Sequence, residues 1–205
     1  MARYPMRSAW RDYRPSGRPS NGRAAEAVPA TILARMSSGI SARILGLDPG
    51  SLRTGYGIID CNAGQLRIVA QGCIATAGGP LADRLRTIHA RVAELIAQHA
   101  PQEIAVERVF LSKNADSALK LGQARGAALA AVPLSLSVHE YAPRAIKLAV
   151  VGVGSAEKLQ VAHMVKQLLR VDMRLGADAA DALAVAICHA NSFRGIEPLV
   201  NGRSA

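Results

Sequence analysis

Four acidic residues stand where acids are hard to explain as ordinary surface. Asp48 ends the apolar run RILGLD at a Pro49–Gly50 turn, Glu107 interrupts the apolar run IAVERVF, and Asp178 and Asp181 open the segment ADAADALAVA three residues apart. An acid inside an apolar strand is costly unless it is paired or bound to a cation, and two acids three apart share one face of a helix's first turn. Oxygen ligands converging from separate elements are what a hard divalent ion such as Mg²⁺ takes, and one or two such ions suit phosphodiester hydrolysis. Taken singly, each acid has a plainer reading. Asp48 can cap its turn, Glu107 can pair with Arg108, and the helix dipole alone favours acids at an N-terminus.

The elements that must position these acids follow from the pattern. RILGLD, TGYGIIDC and LRIVAQGCIAT are short apolar runs separated by turn formers, which predicts a three-strand antiparallel meander. In LADRLRTIHARVAELIAQHA, Leu81, Leu85, Ile88, Val92, Leu95 and Ile96 recur at helical spacing and stop before Pro101. EIAVERVF reads as a buried strand, and a helix from about Ala115 to Ala131 follows with Asn114 as its N-cap. LSLSVHEY is a further strand. Pro143 opens a short helix that Gly152 and Gly154 break, Ser155 caps the next helix, and ADAAD begins the last. This order predicts an α/β layer structure around a mixed sheet.

The chain has 205 residues, half of them apolar and a fifth charged, which fits one folded domain and excludes wholesale disorder. No apolar run reaches the roughly 18–20 residues of a membrane helix. The net charge is +10, which points to a polyanionic partner. It is regional: residues 1–43 hold eight arginines against Asp12 and Glu26, and residues 108–170 hold nine basic and three acidic side chains. Cys61, Cys73 and Cys188 show no zinc-like spacing and read as reduced core thiols. Residues 1–40, rich in arginine and proline, are expected to be a disordered extension: a nucleic-acid-binding tail, a targeting peptide, or residues ahead of a true start at Met36, the reading preferred here. One folded domain is expected over 43–193, and a C-terminal tail over 194–205.

Four stretches make a resemblance specific: GLDPGSLRTGYG (46–57), VERVFLSKNADSALKLGQARG (106–126), VVGVGSAEK (150–158) and GADAADALAVA (176–186). Together they resemble the RuvC family of bacterial Holliday-junction resolvases, from about Arg43 to Asn191 and in order. The resemblance implies a ribonuclease-H-like fold of the retroviral-integrase superfamily, with a mixed five-stranded sheet flanked by helices. It also implies a cytoplasmic homodimer that depends on Mg²⁺, two ions per subunit with Mn²⁺ able to substitute. Such a dimer nicks a four-way DNA junction symmetrically in recombination and repair, leaves 5′-phosphate and 3′-hydroxyl ends, and works with the RuvA–RuvB branch-migration complex. Carried over by position, the catalytic and metal-binding set is Asp48, Glu107, Asp178 and Asp181. Some relatives have histidine at the position of Asp178.

The basic residues and one aromatic complete the expected DNA footprint. Lys147 and Lys158 flank the glycine-broken segment, and Lys158 lies near a helix start where backbone N–H groups also favour anions. Lys113, Asn114, Lys120 and Arg125 extend that stretch. Phe110, in a chain with seven aromatics, can stack on an unpaired base or plug the core. Gly122 and Gly126 are spaced to let helices approach closely, between subunits or within one. Three other functions share parts of this pattern: a ribonuclease-H-like nuclease acting on RNA, an actin-like kinase or ATPase, which needs two such domains, and a non-catalytic junction binder.

Overall fold

The computed structural model describes residues 41–62, 64–76, 78–108 and 114–192. Three strands come first: β1 (Ser41–Asp48), β2 (Arg53–Asn62) and β3 (Gln65–Ala75). They pair antiparallel as the meander expected from their short connections. Helix α1 (Leu81–His99) leads to β4 (Glu103–Glu107), α2 (Ala115–Ala130) and β5 (Ser137–Tyr141). Strands β4 and β5 extend the sheet in parallel from β1, giving the order β3-β2-β1-β4-β5. Helices α3 (Pro143–Val151), α4 (Lys158–Leu169) and α5 (Ala177–Ser192) close the chain.

Side-chain alternation along the strands sorts two cores. Leu45, Leu47, Ile104 and Val106 meet α1 and α2 on one face, through Ile88, Val92, Ala124 and Ala128. Ile44, Ile59 and Ala105 meet α3, α4 and α5 on the other, through Ile146, Val150, Val161 and Val165. Helix α5 lies between the sheet and α3–α4, so every residue from Ala182 to Ala190 is buried, and its apolar character all round follows. It sits unusually close to the strands. A Cβ on Gly46 would come within 2.2 Å of the Ala182 carbonyl oxygen, and one on Gly55 within 2.1 Å of that of Asp178.

Local differences from the sequence expectation have physical reasons. Helix α4 is capped by Glu157 and not by Ser155: the Glu157 N–H donates to Gln160 Oε1 at 2.8 Å while the Glu157 side chain accepts from the Gln160 N–H. That reciprocal pair satisfies two donors where a serine satisfies one. Strand β5 starts at Ser137, three residues later than expected, because the Leu136 N–H donates to the Pro133 carbonyl at 3.0 Å and closes a turn. Strand β4 ends at Glu107. The other caps match: Asn114 Oδ1 accepts from the Ser117 N–H at the start of α2, and Pro143 opens α3, which Gly152 ends in the left-handed region at φ 84°. Cys61 and Cys188 are buried, whereas Cys73 is half-buried at the sheet surface, so only two of the three cysteines are core thiols. The extension 1–40, the tail 194–205, Phe110 and Lys113 lie outside the described residues.

Candidate active site

Strands β1 and β4 are parallel neighbours, with Leu47 opposite Val106. Each carries its acid one residue further on, so Asp48 and Glu107 emerge side by side at the strands' C-terminal ends, where open α/β sheets place their sites. Both project toward α5, as Ile44 and Ala105 do below them. The turn after Asp48 is held firmly. Buried Thr54 donates its hydroxyl to the Gly50 carbonyl at 2.9 Å, and Thr76 donates its own to the Ser51 carbonyl at 2.9 Å.

Helix α5 brings the third acid. Its close seat on Gly46 and Gly55 sets the height of its first turn over the sheet, and Asp181 enters the same cleft. The cleft has a volume of about 150 Å³ and is lined by Asp48, Glu107 and Asp181 with Lys147 from α3 and Lys158 from α4. A cleft of this size and polarity has room for water and small hydrated ions. Lys158 Nζ donates to Asp181 Oδ2 at 2.9 Å.

Crowding shows in the protonation equilibria. Burial, then the charge of Glu107 and a hydrogen bond with it, push the Asp48 carboxyl up to about 8. Burial likewise raises Glu107; its hydrogen bond with Asp48 opposes this, the Asp181 charge adds to it, and Lys158 and Lys147 offset part. The Lys158 ammonium is held above its ordinary value by its hydrogen bond to Asp181. Carboxylates that resist ionisation without a cation and converge with oxygen donors alone are a donor set that fits a hard divalent ion.

The fourth acid stands apart. Asp178 does not line the cleft; its Oδ2 accepts from Arg53 Nε at 2.7 Å, and the Cys73 thiol also hydrogen-bonds to it. Burial pushes the Asp178 carboxyl up, but the Arg53 and Cys73 hydrogen bonds outweigh this and leave it below the usual value. Arg53 was missed in the sequence, although a signal existed. Gly55 and Gly57 alternate on the face of β2 that receives α5, and one more step of two toward the turn places Arg53 over the helix start.

The basic residues divide. Lys147 and Lys158 reach the cleft, while Lys120 and Arg125 lie on α2 across the sheet and carry their own counter-ions. Lys120 pairs with Asp116 and Arg125 with Glu140, both at 2.5 Å. Arg108 pairs with Glu140 at 3.7 Å, so the alternative of a Glu107–Arg108 pair is not realised.

Comparison with known proteins agrees with this geometry. The family model for crossover junction endodeoxyribonuclease RuvC matches residues 44–189. The chain is 54% identical over 156 residues to the crossover junction endodeoxyribonuclease RuvC of Shewanella frigidimarina, covering 76% of this chain and 90% of that one. It is 56% identical over 157 residues to that of Vibrio campbellii, covering 76% and 91%. Among solved structures, Thermus thermophilus RuvC in complex with Holliday junction substrate superposes with a TM-score of 0.71 at 34% identity, covering 75% of this chain and 96% of that one. A mixed sheet with acids at the ends of two adjacent parallel strands and on the helix packed over them, matched along most of its length by relatives more than half identical, places the chain in the RuvC family of crossover junction endodeoxyribonucleases.

Proposed function

We propose that this protein resolves Holliday junctions by hydrolysing phosphodiester bonds at the cleft of Asp48, Glu107 and Asp181. The observation that carries this reading is the convergence of three carboxylates from β1, β4 and α5 beside two lysines. Nucleases of this family depend on a divalent metal, and Mg²⁺, two ions per subunit, is the proposed cofactor, with Mn²⁺ able to substitute. Asp48 and Glu107 would hold it, with Asp181 on the helix side, while Asp178 stays paired with Arg53. When bound, the metal supplies positive charge at the scissile phosphate and activates water.

The chain's own groups do the rest. Without a cation the Asp48–Glu107 pair retains a proton between its oxygens, and that proton leaves when a cation takes its place. Lys147 and Lys158 stand on the cleft wall and orient the phosphate, while the turn locked by Thr54 and Thr76 keeps Asp48 aimed. The ends left are 5′-phosphate and 3′-hydroxyl. Lys120 and Arg125, with Asn114 and Lys113, form the outer DNA footprint, and Phe110, three residues beyond Glu107 in sequence, is the aromatic for base stacking at the junction centre.

A junction offers two equivalent scissile strands, so paired incision calls for a C2 homodimer. Exposed Leu119 and the open surface at Gly122 and Gly126 on α2, where an added Cβ meets nothing within 4 Å, support a subunit contact there. The RuvA–RuvB complex is the proposed partner and the cytoplasm the proposed compartment. Among the described residues no helix is long and apolar enough to cross a membrane. The test is to incubate the protein with a synthetic mobile four-way junction and with linear duplex, with and without Mg²⁺. Symmetric nicks in the junction alone, only with metal, are expected; equal cutting of duplex contradicts the proposal.

A further inference from the structure

At the far end of the same sheet face lies a second convergence of ligand-type side chains. Glu103 opens β4, four residues before Glu107 and so about 13 Å from it along the strand. His189 lies in the last turns of α5, about 12 Å beyond Asp181 along the helix. His139 sits on the edge strand β5, opposite Ala105. Alternation turns Glu103 to the α5 side with Ala105, and turns His139 the same way as Tyr141, which packs in that core.

The three side chains meet at one oxygen. His139 Nε2 lies 2.9 Å from Glu103 Oε2, and His189 Nε2 lies 3.8 Å from the same atom. One ligand atom from each residue falls within 4.8 Å of the others. The imidazoles stack with centroids 4.4 Å apart and planes 27° apart, so both rings address the carboxylate together. His189 is buried at 1% exposure, Glu103 is at 19% and His139 at 37%. A plain Glu–His ion pair uses one imidazole; a second, buried one directed at the same oxygen is what a shared cation uses.

We propose that Glu103, His139 and His189 form a binding site for a divalent transition metal of the Zn²⁺ class, separate from the acidic cleft, that clamps β4, β5 and α5. The ligand chemistry separates the two sites. Two imidazoles and a carboxylate suit Zn²⁺, whereas the all-oxygen cleft suits Mg²⁺ or Mn²⁺. Ligand bonds of 2.0–2.1 Å at tetrahedral angles require ligand atoms about 3.4 Å apart, and the observed 2.9 and 3.8 Å straddle that value. The half-exposed His139 side leaves a fourth position for water. Tyr141 completes the arrangement: its Oη lies 2.7 Å from His189 Nδ1, and in the metal-bound tautomer Nδ1–H donates to it, leaving Nε2 for the ion.

The test is Zn²⁺ binding to the full-length chain, read by equilibrium dialysis with metal analysis. An Asp48→Asn, Glu107→Gln double variant serves as background because it removes the cleft's own affinity. About one Zn²⁺ per chain is expected to remain in that background and to be lost when His139→Phe or Glu103→Gln is added. Tyr141→Phe should weaken it about 10–100-fold. Circular dichroism confirms folding, and His139→Phe, on a half-exposed edge position, is the variant that keeps the fold. Absence of Zn²⁺ in the double variant, or retention of the same affinity after His139→Phe, overturns the proposal.

Discussion

Arg53 Nε donates to Asp178 Oδ2 at 2.7 Å, and this ion pair holds one of the two acids at the start of α5 away from the cleft that the other enters. Asp178 and Asp181 are therefore unequal despite sharing a helix turn. Asp181→Asn is expected to lower single-turnover junction cleavage on the order of 10²–10³-fold, the scale of losing one electrostatic group from a reaction centre. Asp178→Asn should cost at least tenfold less than that. Parallel cleavage rates at saturating Mg²⁺ check the difference.

The Asp48 carboxyl sits far above its unfolded value, at about 8. A carboxyl raised on folding contributes stability that is complete below its unfolded pKa, near 4, and is lost as pH rises through the folded pKa. The metal-free protein should therefore lose Tm between about pH 4 and pH 8. Asp48→Asn should flatten that decline, and saturating Mg²⁺ should reverse it. Thermal melts across the range, with and without chelator, measure both.

Asp60 behaves oppositely. Its oxygens accept from Arg43 Nε at 2.7 Å and from Arg67 at 3.1 Å, and the Arg43 hydrogen bond, working against burial, holds the carboxyl below its ordinary value. This stability is present above the unfolded pKa and lost as pH falls through the folded one. Asp60→Asn should lower Tm at neutral pH by roughly 2–4 °C, with the gap to wild type closing in acid.

Gly46 lets α5 sit on β1. A Cβ there meets backbone, the Ala182 carbonyl oxygen at 2.2 Å, which no rotamer relieves. Gly46→Ala should cost about 1–3 kcal/mol by overpacking. It should also lift Asp181 from the cleft, so cleavage per folded molecule falls as well. Denaturant melts and active-fraction cleavage rates separate the two effects.

Much of this was legible in the sequence. The succession of elements along the chain followed from short turns and one helical period, and Asp48 and Glu107 stood out because an acid ending or interrupting an apolar run must be compensated. Residues whose partners are distant in sequence were not legible. Arg53 meets Asp178 across 125 positions, and the Glu103, His139 and His189 group is assembled only by the parallel pairing of β4 with β5 and the burial of α5. Likewise Arg125 finds its counter-ion Glu140 on a different element, β5. Ser155 looked like a cap because hydroxyl N-caps are common, yet the Glu157–Gln160 box lies two residues further on.

The decisive measurement is single-turnover cleavage of a synthetic four-way junction by Asp48→Asn, with junction affinity measured on the same preparation. Binding within about threefold of wild type and cleavage reduced by at least about 10²-fold are expected, since Asp48 serves the reaction and the lysines and outer basic residues serve the DNA. Cleavage within tenfold of wild type at saturating Mg²⁺ would contradict the assignment of the reaction to this cleft.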